Sequence, residues 1–381
     1  MLRPYNRDTI SSMSDPLTFG LLAFLLSLIL HLCALHFFPR FKLLDRPAKY
    51  NLARRSLPYP TGIVSVLAFL IVFLILKKEI SFQDGGLLLS ILLLAMMTML
   101  DDLKNLPPWL RLSIQFLIGF LIFATGTRIY TITNPLGGIL KLDSFLIANQ
   151  FSIFNFQFSI PGGLLPFWSG LFTILWLSLT MNAFNWFDGI PGQVSILSVI
   201  GAFTIGFLSL SDRVNQPEIA VIAFILGGVA LASVLFDFPP NKTVMGDTGA
   251  MFFGLMLGAL SIYAGGKVAT ALLVLGLPLI DSVLVSLTRV MKGKSPLKGD
   301  LDHLHHRLLK KGWGERKVIF LTVILGSAFG ITALFLSTFQ KFIAIILLTA
   351  LILLLRWYSR PRQTPVGLAT ERSVPPFLPL G

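Results

Sequence analysis

Two Asn, one Asp and two Gly in Asn182-Ala-Phe-Asn-Trp-Phe-Asp-Gly-Ile-Pro-Gly192 follow directly on an apolar run from Phe167 to Met181. Amide and carboxylate oxygens at the end of a membrane-length helix can be hydrated or can bind a cation. Asn182, Asn185 and Asp188 recur every three residues, so a helix running this far would set them on one face. Gly189 and Gly192 let the backbone turn and approach a ligand closely. Asp101-Asp102 ends another apolar run, ahead of Arg111 and Gln115. Such adjacent carboxylates repel unless a cation or a shared proton relieves them, although an isolated pair can simply mark a helix end. In Met245-Gly-Asp-Thr-Gly249 a carboxylate stands between glycines just ahead of a helix. There Asp247 could cap helix N–H groups, or hold a hard cation while those groups face phosphate oxygens.

The fourth cluster is Asp302-His-Leu-His-His-Arg307, inside a basic stretch at 289–317 that holds three of the five His. Zinc is one reading, but the single cysteine, Cys33, is far away in sequence. So much positive charge suits an anion such as a pyrophosphate or a sugar phosphate better. Each cluster alone is a weak signal. Carboxylates suited to Mg2+ and basic groups suited to phosphates, if gathered at one membrane face, describe phosphoryl transfer to or from a lipid.

The elements that must do this gathering are apolar helices. With 54% hydrophobic and 13% charged residues over 381 positions and a mean hydropathy of +0.79, the composition excludes a soluble domain and is too long for one span. Runs near the length needed to cross a bilayer fall at 17–38, 61–76, 82–100, 111–127, 166–181, 193–210, 218–236, 250–264, 268–288, 318–337 and 341–357. An all-α polytopic membrane protein of about eleven spans is expected, with its termini on opposite sides. The first run is read as a retained helix, since no small-residue cleavage pattern follows it. Most of the 31 Lys and Arg fall in one alternate set of loops, from Arg40 to Arg55, Lys104 to Arg111, Lys242, Arg289 to Lys317, and Arg356 onward. These loops are therefore expected to be cytoplasmic and the N-terminus outside, and the net charge of +13 needs no nucleic acid. The expected divisions are an outside segment at 1–16, a membrane domain at 17–357 and a disordered cytoplasmic tail at 358–381. An outside loop at 128–166 carries turn signals, and its flanks could pair as a hairpin.

At these residues the sequence resembles the polyprenyl-phosphate N-acetylhexosamine-1-phosphate transferases. The resemblance spans about Asp45 to Lys317. It rests on Asp101-Asp102 with Leu106 and Gln115, Asn182-x-x-Asn185-x-x-Asp188-Gly189, Gly246-Asp247-x-Gly249, Arg289-x-x-Lys-Gly-Lys-Ser-Pro296 and His303-x-His305-His306. The His pattern looks more like the N-acetylglucosamine-1-phosphate branch than the branch forming lipid I. The resemblance implies a multi-pass enzyme of the bacterial plasma membrane with a cytoplasmic site, dependent on Mg2+ with Mn2+ as a substitute, and a homodimer as one assembly. It would take a UDP-N-acetylhexosamine and a polyprenyl phosphate to a lipid pyrophosphoryl sugar and UMP. By position, Asp247 and Asn185 would hold the metal, and Asp101 would activate the acceptor phosphate, with Asp102, Asp188 and Arg111 beside it in the catalytic set. Asn182, Gly189, Arg289, His303, His305, His306 and Lys49 would bind substrate. Two positions depart from the family pattern. Pro191 stands where an acidic or amide residue is usual, and Lys49-Tyr-Asn-Leu-Ala-Arg-Arg55 replaces the usual Arg-Lys-x-His. The rival readings are a lipid-phosphate carrier or flippase, which would release no UMP, and an inactive scaffold, which would bind no Mg2+ at Asp247.

Overall fold

A computed structural model describes residues 14–47, 55–134, 137–147, 150–153, 156–159, 165–264, 268–295 and 302–360. Lys49, most of the segment at 1–16 and nearly all of the tail at 358–381 lie outside the described residues. Among the described residues thirteen helices follow one another: α1 (Ser14–Arg40), α2 (Gly62–Leu76), α3 (Phe82–Lys104), α4 (Pro108–Ala124), α5 (Phe167–Phe187), α6 (Gln193–Leu210), α7 (Pro217–Asp237), α8 (Gly246–Tyr263), α9 (Val268–Val274), α10 (Gly276–Met291), α11 (Leu304–Lys310), α12 (Glu315–Phe335) and α13 (Thr338–Tyr358). Seven are long and apolar enough to cross a membrane, and the bent pair α9–α10 makes an eighth crossing if counted as one. α2 and α4 are shorter apolar helices. The fold is that of an all-α multi-pass membrane protein, and every apolar run expected from the sequence is helical.

Local chemistry sets the helix ends. Ser81 and Asp84 form a capping box at the start of α3, as Ser337 and Gln340 do for α13, each satisfying N–H groups left open by the first turn. α4 and α7 begin with Pro108 and Pro217, whose missing N–H costs nothing at that position. Gly192 (φ 85), just ahead of α6, and Gly246 (φ 74), the first residue of α8, take left-handed backbone, a conformation that glycine adopts without strain.

α8 is the central post, with every residue buried except Asp247 and Tyr263. Glycine lets its first turn touch α2: a Cβ on Gly62 would lie 2.1 Å from the Gly249 nitrogen. Gly62 N donates to Met245 O (2.9 Å) and Thr61 N to Val244 O (3.0 Å) across the same contact. Where lipid removes the hydrophobic drive between helices, such small-residue contacts carry the packing.

Two expectations needed correction. The run at 268–288 is not one helix: α9 and α10 meet at 88°. Gly276 admits Leu348 of α13 at the corner, 2.5 Å from where a Cβ would sit, and Pro278 has no N–H to continue the ladder across the break. Among its described residues, the segment at 128–166 holds three two-stranded antiparallel sheets rather than one hairpin. Of these, Leu146–Ile147 paired with Leu165–Pro166 joins the flanks.

Candidate active site

α5 does not stop at Met181. It continues to Phe187 with Asp188 as its C-cap, so Asn182 and Asn185 stand on its last two turns. Nor is Asp247 a helix cap ahead of α8: it lies in the first turn, where the preceding Met245 makes no side-chain cap bond. Its carboxylate instead accepts from Arg111 Nη2 of α4 (3.2 Å) and hydrogen-bonds Asn185. The neighbouring Thr248 is tied to Thr98 of α3, hydroxyl to hydroxyl at 2.8 Å. Arg111 Nη1 reaches Asp101 Oδ2 at 2.9 Å. One guanidinium thus bridges carboxylates from the end of α3 and the start of α8.

Asp101 and Asp102 have different surroundings. Asp101 is saturated, since its second oxygen accepts from Leu106 N at 2.7 Å. That bond and Asn105 in left-handed backbone close the end of α3. Asp102 accepts from the Tyr59 hydroxyl at Oδ1 (2.5 Å), while its buried Oδ2 has no hydrogen-bond partner. Tyr59 also lies against Gly246, where a Cβ would come 2.6 Å from the ring. It joins the loop before α2 to both acidic helix ends. Asn182 and Gln115 pair amide to amide, with Asn182 Nδ2 donating to Gln115 Oε1 at 2.5 Å.

Beyond Asn185 the chain turns to a second group of residues. Burial, with the Asp237 and Asp247 carboxylates nearby, holds Asp188 well above the usual carboxylate range. Asp237, at the end of α7, takes the turn in hand: its Oδ2 accepts from Gly192 N (2.9 Å) and Ser195 Oγ (2.8 Å). A Cβ on Gly189 would lie 2.2 Å from His305 Nε2 and 3.0 Å from His306 Cε1, so the histidine loop is seated on the glycine that ends α5. His305 is 2% exposed, meets the Phe187 ring edge to face, and has no partner at either ring nitrogen. Burial and the adjacent His306 lower its pKa to about 3, so it is neutral at physiological pH. His303 stacks at 6.0 Å on His305 and lies 5.7 Å from Trp186. Arg289 is buried at the C-terminal end of α10.

Apart from Arg289, at the end of α10, and Lys49, outside the described residues, the expected residues gather in two halves, acidic and histidine-bearing, on either side of the end of α5. Reasoning from sequence missed Tyr59, Asp237 and Trp186. Asp237 carried a usable signal, a carboxylate closing an apolar run as Asp101-Asp102 does; Tyr59 carried none that separates it from a loop aromatic.

Oxygen donors dominate the acidic half, and the unpartnered Asp102 Oδ2 leaves a buried lone pair there. Among the described residues no three His, Cys, Asp or Glu side chains could close a metal cage by themselves. Mg2+ keeps several waters and takes one or two carboxylates plus substrate phosphates, and the oxygen donors of Asp247, Asn185 and Asp102 are of that kind.

Fold and site define a multi-pass membrane protein with an acidic centre and a histidine loop at one end of its bundle. The chain matches glycosyl transferase family 4 over residues 85–265. It is 26% identical over 283 residues to a probable undecaprenyl-phosphate N-acetylglucosaminyl 1-phosphate transferase of Bacillus subtilis, covering 72% of this chain and 71% of that one. It is 29% identical over 261 residues to a decaprenyl-phosphate N-acetylglucosaminephosphotransferase of Mycolicibacterium smegmatis, covering 62% of this chain but only 58% of that relative's length. A phospho-N-acetylmuramoyl-pentapeptide-transferase of Streptococcus agalactiae is 29% identical over 262 residues, 64% of this chain and 71% of the relative. Of these three matches, that to the Bacillus subtilis protein extends furthest along this chain. The first two are, by name, N-acetylglucosamine-phosphate transferases of undecaprenyl or decaprenyl phosphate.

Proposed function

We propose that this protein transfers an N-acetylhexosamine 1-phosphate from a UDP-sugar to a polyprenyl phosphate, at the cytoplasmic face of a bacterial plasma membrane. An oxygen of the lipid phosphate attacks the sugar-bearing phosphorus of the donor. The bond from that phosphorus to the UMP oxygen breaks, and UMP leaves as a lipid pyrophosphoryl sugar forms. The observation that supports this best is the end of α5, where Asn185 reaches the Asp247 carboxylate while Gly189, four residues on, seats His305. One turn of chain thus links a site for a cation and phosphates to a site for the rest of the donor.

Asp247 and Asn185 would hold Mg2+, with Asp102 within reach. Bound there, the ion neutralises phosphate charge and polarises the phosphorus under attack. Arg111 already screens Asp101 from Asp247 and adds a cation to the charge the transition state develops. The open oxygen of Asp102 favours it over the saturated Asp101 for meeting the acceptor phosphate and taking any proton it carries. His305, neutral and buried, offers hydrogen bonds rather than charge, which suits a sugar hydroxyl or amide. Asp281, buried in α10, is held by partners of its own; among the described residues that leaves little to favour a carrier.

The test is formation of lipid-linked sugar by purified protein given undecaprenyl phosphate and a panel of UDP-N-acetylhexosamines. The expected result is product from one donor, stopped by chelator, restored by Mg2+, and reduced about 100-fold or more in Asp102→Asn. Product from no donor by a folded protein would refute the reading.

A further inference from the structure

Asp281 projects from α10 with 3% exposure, and its carboxylate is fully occupied. Oδ2 pairs with His303 Nδ1 at 2.9 Å and accepts from Leu304 N at 3.0 Å. Oδ1 accepts from Arg356 Nη1 at 2.7 Å. Arg356, itself 9% exposed, comes from the last turn of α13. A buried carboxylate and guanidinium can exist for stability alone. Here, however, one carboxylate oxygen takes both the ring of His303 and the backbone N–H of the next residue, Leu304, where the histidine loop opens.

We propose that Asp281 and Arg356 are positioning residues. They clamp the histidine loop to the end of α10 and fix the proton of His303 on Nδ1, so that Nε2 offers a lone pair to a hydroxyl or amide N–H of the donor sugar. A neutral imidazole carries one N–H, and the partner of one nitrogen decides what the other can do. Asp281 selects the Nδ1–H form. Arg356 holds the other oxygen of Asp281 at 2.7 Å and so fixes the carboxylate against the ring. The groups facing His303 are Asp281 from α10, Arg356 behind it from α13, His305 from its own loop and the uncharged Trp186 from α5. Neither Asp281 nor Arg356 falls in the stretch 85–265 that matches the family. The sugar as ligand rests on the function proposed above; the clamp does not.

The full chain, labelled with ring-15N histidine in detergent, separates the two. His303 in wild type should show the Nδ1–H tautomer. Asp281→Asn, which can turn its amide N–H toward the ring, should lose it and raise KM for the nucleotide sugar about tenfold or more, with kcat changed far less. KM should rise less in Arg356→Lys than in Arg356→Gln, which serve as the decisive pair if Asp281→Asn does not fold. An unchanged tautomer and KM in a folded Asp281→Asn, or equal KM values in the two Arg356 variants, would overturn the clamp. A wild type that releases no UMP but shows the expected tautomer shift would leave the clamp standing and overturn the sugar.

Discussion

At the scale of single residues, the site works by unequal treatment of like groups. Asp101 and Asp102 are neighbours in sequence, yet one has both oxygens engaged and the other has a buried oxygen without a partner. His303 is bound to a carboxylate, while His305, two positions on, has no partner at either nitrogen. The His305 contrast has a consequence for stability. Its folded pKa, about 3, lies below the ordinary histidine value of 6.5. Between those values the unfolded chain binds a proton that the folded chain does not, so stability falls as pH drops below 6.5, by up to about 1.4 kcal/mol per unit. Thermal unfolding from pH 7.5 to 5 should show this slope in wild type and a shallower one in His305→Gln; equal slopes would contradict a neutral, buried His305. The clusters themselves were legible, because carboxylates, amides and His are conspicuous against apolar runs. Their pairing was not, since nothing in Asp-Asp says which carboxylate meets Arg111.

At the scale of elements, α5 is the organiser. Its two extra turns carry Asn182 and Asn185 out of the apolar run and deliver Gly189 to the histidine loop. Sequence periodicity pointed to this shared face, but whether the helix continued through Asn182 depended on Gln115 and Asp247, which arrive from α4 and α8. Polar residues at a helix end stay helical when other elements take up their side chains. The bend between α9 and α10 was likewise hidden, because Gly276 and Pro278 sit in an uninterrupted apolar run and Leu348, which packs into the corner, arrives from α13. Gly189→Ala tests the arrangement. Its methyl would overlap His305 Nε2, so the histidine loop should be displaced, with turnover down about tenfold or more and the melting temperature little changed because Gly189 is exposed. Wild-type turnover in Gly189→Ala would mean that the loop does not work from this seat.

At the scale of the whole molecule, helix directions and charge tell one story. The loops before α2 and between α3 and α4, α5 and α6, and α7 and α8 meet through the Thr61–Val244, Arg111–Asp247 and Gly192–Asp237 contacts. The other ends of the helices meet through separate contacts such as Gln83–Thr127 and Lys341–Thr270. The basic residues cluster at the first of these ends, so that end should face the cytoplasm. In a Cys33→Ser background, Ser295→Cys should react with a membrane-impermeant thiol reagent only after the cells are opened, and Asp143→Cys in intact spheroplasts. The reverse pattern would invert the topology. Composition made the membrane class plain, and alternation of charge gave an orientation to test. The span count was harder to read, because α2 and α4 are too short to be distinguished by length from buried helices.

The most direct measurement is UMP release by the purified chain with a UDP-N-acetylhexosamine, undecaprenyl phosphate and Mg2+, comparing wild type with Asp247→Ala and with Asp143→Ala, in the segment between α4 and α5. Release by wild type and Asp143→Ala, lost in Asp247→Ala, is the predicted result. Equal release by all three would contradict a transfer centred on the carboxylate that Arg111 and Asn185 hold.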